Sequence, residues 1–167
     1  MYPRPGLFLM EDLLCLFNQQ VLSTLVFFQS KFLIGFGLKN NEKREKVTGN
    51  TLFQAASISK PITAVATVKA FDQKGISLDA NINTILKTWK IPKNEYTTGK
   101  PVTMRLLLSH SAGVTAFRYK GYEKNAKLPT LQDELNGKSP ANTPAVVIER
   151  KPGEKYEYAP AGYTIVQ

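Results

Sequence analysis

Ser57, Ser59 and Lys60 lie together in "FQAASISKPITA", residues 53–64, and a serine with a lysine three positions on is a nucleophile with a base in reach. On a helix, residues three apart share a face, whereas neighbours diverge by about 100° around the axis. The spacing therefore pairs Ser57 with Lys60 and turns Ser59 away. At a helix start the first N–H groups lack intrahelical acceptors and the dipole favours negative charge, which suits an alkoxide or oxyanion at Ser57. A lysine takes a hydroxyl proton only when it is itself neutral, a state that partial burial and nearby positive dipoles favour. Pro61 fits the same place, because in the opening turn it removes an N–H that has no intrahelical partner. The plain alternative is that Ser57 caps the helix and Lys60 is a solvated surface residue, since S-x-x-K is short enough to recur by chance.

The elements that would carry these residues follow from periodicity. From Ser57 to about Lys74 apolar residues recur at helical spacing (Ile58, Ile62, Val65, Ala66, Val68, Phe71), and Gly75 supplies a stop. Upstream, "VLSTLVFFQSKFLIGFGL", residues 21–38, reads as two short strands around a turn, and the charged stretch 39–50 as a solvated loop. Downstream, "ISLDANINTILKTW" gives a loop and a helix broken by Pro92; "PVTMRLLLSH" gives a helix with Thr103 as N-cap, closed by Gly113. Residues 118–145, with Gly121, Pro129, Gly137, Pro140 and Pro144, form a long irregular stretch of the kind that serves as a functional loop or surface excursion. A turn at Pro152 and Gly153, a short extended piece and a helix from near Ala161 complete the chain.

Bulk properties narrow the classes without choosing one. With 167 residues, 43% apolar and 21% charged, the chain suits one globular domain. Its 22 Lys and Arg, net charge +9, are scattered from Arg4 to Lys155, so no nucleic-acid partner is expected, and a basic surface binder of anionic polymers is a minor reading. One cysteine, Cys15, excludes an internal disulfide and a cysteine-based metal site, and one histidine, His110, excludes a histidine cluster; neither metal nor cofactor is expected. Cys15 reads as a small apolar residue rather than a nucleophile. The greasy N-terminus is interrupted by Glu11 and Asp12 and lacks a small-residue cleavage site, so it makes a poor signal peptide. No charge-free apolar run reaches the length of a membrane span. Compartment and oligomeric state are left open.

The run "TLFQAASISKPITAVATVKAFDQKGISLDANIN", followed by "WKIP" and "PVTMRLLLSHSAGVT", resembles the class C β-lactamase-related serine hydrolases, a family of β-lactamases, esterases and D-alanyl-D-alanine peptidases. "ANTPAVVIERKPGEKYEYAPAGYTIVQ" is similar to that family's segment with its second motif, Tyr-x-Asn. The resemblance covers about residues 27–167. It implies an α+β chain, a partial β-lactamase/transpeptidase-like fold, with a helical region and N-terminal strands of an antiparallel sheet whose other strands are missing. Residues 1–25 would be an unmatched extension and 26–167 an incomplete domain. It also implies acyl-enzyme chemistry on a small-molecule ester, β-lactam or peptide substrate, with Ser57 as nucleophile, Lys60 helping to deprotonate it, and Tyr158 acting with Lys60 as general base and then protonating the leaving group. A phenol does this only as one coupled unit with a nearby cation. Family members are often secreted or periplasmic.

Three departures qualify that expectation. Pro160 stands where the motif has Asn and offers neither an amide side chain nor an N–H, which leans toward an esterase-like or uncharacterised member. The family's third motif, Lys-Thr-Gly or His-x-Gly, would lie beyond Gln167, so the chain is expected to be an N-terminal half with weak or no activity alone, its helices short of a surface to pack on. The N-terminus is unfamiliar. His110, in "LLSHSAG", has no carboxylate placed to orient it and reads as a structural helix end rather than part of a triad. The alternative function is a non-catalytic pseudoenzyme or a binding module that retains part of the fold.

Overall fold

The computed structural model describes residues 35–167; the expected extension 1–25, Cys15 and most of the strand pair placed at 21–38 lie outside the described residues. The chain falls into two compact units, one ending at Ala66 and the other running from Thr67 to Gln167.

In the first unit the charged stretch folds into a hairpin rather than an open loop. Strands β1 (Leu38–Asn40) and β2 (Glu45–Lys46) pair antiparallel, Leu38 opposite Lys46 and Asn40 opposite Glu45, with an irregularity between. Local turn chemistry makes the pairing: the Asn40 side chain accepts the Lys43 N–H at 2.9 Å, and Arg44 adopts the left-handed conformation at φ 51°. Lys39 and Glu45 pair across the strands at 3.4 Å. A two-stranded hairpin of this size is marginal in isolation. After it come Leu52 and Phe53, both exposed, and a single 3-10 turn, Ala56–Ile58.

Helix α1 (Ser59–Gln73) begins directly after that turn and runs across the division between the units. Its end closes as the sequence suggests. Gly75, at φ 62°, donates to Asp72 O at 3.0 Å and Ile76 to Phe71 O at 2.9 Å, the paired bonds of a Schellman motif. Phe71 is buried, but Ile62, Val65 and Val68 leave 53%, 57% and 42% of their surface in solvent.

The second unit holds the core. Ile82, Leu107, Val114, Val146 and Ile148 keep 2% exposure or less, and each such burial contributes about 1.5–3 kcal/mol. Helix α2 (Ile82–Ile85) starts at Asn81, whose side chain accepts the Asn83 N–H at 3.0 Å. Asn83 then fixes the following loop through both ends of its amide, which bond Ile91 N–H at 2.9 Å and Ile91 O at 3.0 Å. Helix α3 (Met104–Leu108) is capped by Thr103 as expected, its Oγ1 accepting the Leu106 N–H at 3.3 Å. Arg105 reaches back to Asp79 with two bonds of 2.7 and 2.8 Å, which hold the Asp79 carboxyl below its ordinary value.

Helix α3 closes earlier than Gly113. Its left-handed closing residue is His110, φ 55°, with His110 N–H on Leu107 O at 3.2 Å and Ser111 N–H on Leu106 O at 2.9 Å. Gly113 serves another need. It lies at φ 73° where a Cβ would stand 2.2 Å from Arg150 O, beside the Val114–Ile148 bridge.

Within the stretch read as irregular sits helix α4 (Leu131–Asn136), started by a capping box. Thr130 Oγ1 accepts the Asp133 N–H at 3.1 Å, and the Asp133 carboxylate accepts the Thr130 N–H at 3.0 Å. Helix α5 (Pro160–Val166) packs on both α3 and α4. The Thr130 hydroxyl and then its N–H hold the Asp133 carboxyl below its ordinary value. A carboxyl lowered in the folded state adds stability above the unfolded carboxyl pKa, about 3.9, and that stability is lost as pH falls through the folded value. Thr130→Ala, which removes the cap, is therefore expected to lower stability at neutral pH. The difference from wild type should narrow on acidification below about pH 4, as urea unfolding at several pH values would show.

Candidate active site

Ser57 is the middle residue of the 3-10 turn, and Lys60 and Pro61 occupy the first turn of α1. The chain enters this turn under strain: Ala56 has φ 46°, a left-handed conformation that an L-residue with a Cβ rarely takes. The result places Lys60 Nζ 3.2 Å from Ser57 Oγ, a hydrogen bond in which the lysine donates. Ser57 is exposed and Lys60 half-buried. Ser59 belongs to the helix itself, where its carbonyl accepts the Thr63 hydroxyl at 3.0 Å. A lysine amine held this close to a serine hydroxyl can take its proton when the amine is neutral.

Tyr158 belongs to the second unit. Its segment belongs to no strand among the described residues. Instead it hangs on the end of α3: the Glu157 N–H bonds His110 O at 2.9 Å, and the Ala159 N–H lies 3.2 Å from His110 Nδ1. The Tyr158 ring leans on the imidazole, centroids 4.5 Å apart, and keeps 43% of its surface in solvent. Tyr163 lies against the same imidazole at 5.2 Å, and its hydroxyl donates to Leu108 O at 3.0 Å. Burial first, and the neighbouring Tyr158 second, push the Tyr163 phenol up. Pro160 is the first residue of α5, where its missing N–H is no loss, so the departure from the motif's Asn has a local structural use.

Sequence reasoning found the Ser57 and Lys60 contact but not the part played by His110. The signal present was a histidine, rather than glycine, at a helix end, and its partners 157 and 159 are too distant in sequence to be read from it. A hollow of about 460 Å3, bordered by Asn81, Lys93, Thr98 and Lys100, includes none of Ser57, Lys60 and Tyr158. Among the described residues no cluster of His, Cys, Asp and Glu could hold a metal, and no helix is long and apolar enough to cross a membrane.

A serine bonded to a lysine at a helix start, ahead of capped helices and a tyrosine segment, meets its class in comparison with known families. The model of the Beta-lactamase family matches residues 23–167, and the chain belongs to that family. Its mixed helices with a small two-stranded antiparallel sheet are compatible with a partial β-lactamase fold. Among curated relatives, the chain is 34% identical over 94 residues to the serine beta-lactamase-like protein LACTB, mitochondrial, of Homo sapiens, covering 56% of this chain and 16% of that protein. It is 26% identical over 120 residues to a putative fimbrial assembly protein FimD, serogroup D, of Dichelobacter nodosus, covering 70% of this chain and 28% of that one. The chain thus spans less than a third of the length of each of these two relatives.

Proposed function

We propose that this chain carries the nucleophilic part of a serine hydrolase that works through an acyl-enzyme on an ester or amide. The observation that carries the reading is the 3.2 Å bond from Lys60 Nζ to Ser57 Oγ, in a chain of the Beta-lactamase family. In this scheme Ser57 Oγ attacks the substrate carbonyl carbon as its proton passes to neutral Lys60, a transfer in which the family likeness gives Tyr158 a share. The tetrahedral oxyanion collapses and expels the leaving group, which takes its proton from Tyr158. Water then reverses the sequence and frees the acid. Pro160 supplies no side-chain amide to a substrate, so simple esters are favoured over penicillin-type amides. Residues 26–167 act here as part of a larger domain, with 1–25 as an extension, and activity from the chain alone is weak or absent.

The test is covalent. Incubation of the 167-residue protein with a fluorophosphonate should give an adduct that peptide mass spectrometry places on Ser57, absent in Ser57→Ala. An unlabelled wild-type chain, with a longer family member labelled in parallel, removes the catalytic reading. A non-catalytic role is the second reading, favoured by Pro160 in the motif position.

A further inference from the structure

We propose that His110 is a positioning residue for Tyr158, clamping the backbone on either side of it and packing against its ring. This rests on the reading that Tyr158 shares in the proton transfer from Ser57. Helix closure alone does not account for a histidine at this position. At φ 55° the residue is left-handed, and glycine makes the same closing bonds without the strain of a Cβ. What glycine lacks is the imidazole, and the imidazole is engaged with the Tyr158 segment.

Two residues of that segment, the neighbours of Tyr158, bond to this one histidine. Glu157 N–H meets its carbonyl at 2.9 Å. Ala159 N–H lies 3.2 Å from Nδ1 and Ala159 O lies 3.3 Å from it, so either tautomer ties the ring to residue 159. The ring itself stands 4.5 Å from that of Tyr158, tilted by 47°, and 5.2 Å from that of Tyr163, which is anchored on Leu108 O. The histidine thereby fixes backbone and ring direction together. Such a clamp matters because the tyrosine is 43% exposed and its segment has no sheet ladder among the described residues to hold it. Holding a proton-transfer group in one orientation beforehand removes an entropic cost from the reaction step.

Two variants separate this role from a structural one, because both glycine and asparagine accept a left-handed backbone. His110→Gly removes the ring. His110→Asn keeps a short side chain whose amide can still bond residue 159. If His110 only ends a helix, the glycine variant should match wild type in every readout. If it positions Tyr158, His110→Gly should stay folded by thermal melting while its fluorophosphonate labelling of Ser57 slows about 10- to 100-fold, and His110→Asn should recover a large part of the rate.

A second measurement does not need activity. By amide hydrogen exchange followed by NMR on the full chain, Ala159 should be protected in wild type, unprotected in His110→Gly and protected again in His110→Asn. Unchanged Ala159 protection in His110→Gly overturns the clamp, as does equal labelling of all three proteins. If wild type does not label at all, the hydrolase reading falls, and the Ala159 exchange alone decides whether the clamp stands.

Discussion

Lys60→Met is expected to slow the reaction of Ser57 with a fluorophosphonate by about 100- to 10,000-fold, the range that a positioned general base contributes. Methionine keeps the apolar length of the lysine side chain and loses the amine whose nitrogen lies 3.2 Å from Ser57 Oγ. The two residues sit on one short stretch, a 3-10 turn leading into α1, so their contact depends little on distant packing. The helix should therefore survive the change, which circular dichroism would report. Residual adduct should still map to Ser57, since the nucleophile is intact. A variant that labels at the wild-type rate would show that the contact is a cap and not a proton relay.

Gly113→Ala is expected to destabilise the second unit by about 3 kcal/mol or more, through two faults that reinforce one another. Alanine is strained at φ 73°, and its Cβ would stand 2.2 Å from Arg150 O. Neither backbone is free to retreat. Glu149 N–H bonds Gly113 O at 2.8 Å, Thr115 N–H bonds Val147 O at 2.9 Å, and Val114 and Ile148, both buried, bridge the same two segments. Urea unfolding followed by tryptophan fluorescence at Trp89 would measure the loss. A midpoint unchanged within error would mean that this bridge does not hold the core.

What could be read in advance depended on how local the cause was. The apolar spacing from Ile58 to Phe71 and the stop at Gly75 produce α1, and Thr103 caps α3, because a helix and its caps are decided within a few residues. The pairing of Ser57 with Lys60 was legible for the same reason. The hairpin at 38–46 was hidden by its charge: it has no alternation of apolar residues, and its cause is an asparagine side chain within the turn. Helix α4 was masked by surrounding prolines and glycines, although Thr130 and Asp133 spell a capping box once the helix is suspected. His110 was legible as a helix end, but the suspension of the Tyr158 segment on it was not. His110 takes a conformation usually left to glycine, and its partners lie 47 and 49 residues away.

Ala56, the left-handed residue ahead of Ser57, sets a trap for anyone improving this protein by screening. Glycine would relieve its backbone strain, by about 1 kcal/mol as such changes go. A library sorted only for heat tolerance should enrich that substitution early. Yet alanine also narrows the conformations open to the turn, and glycine would let the serine wander from its lysine. Selection for robustness and selection for reactivity therefore pull position 56 in opposite directions, and a screen that scores only survival will choose the wrong residue without any sign of it.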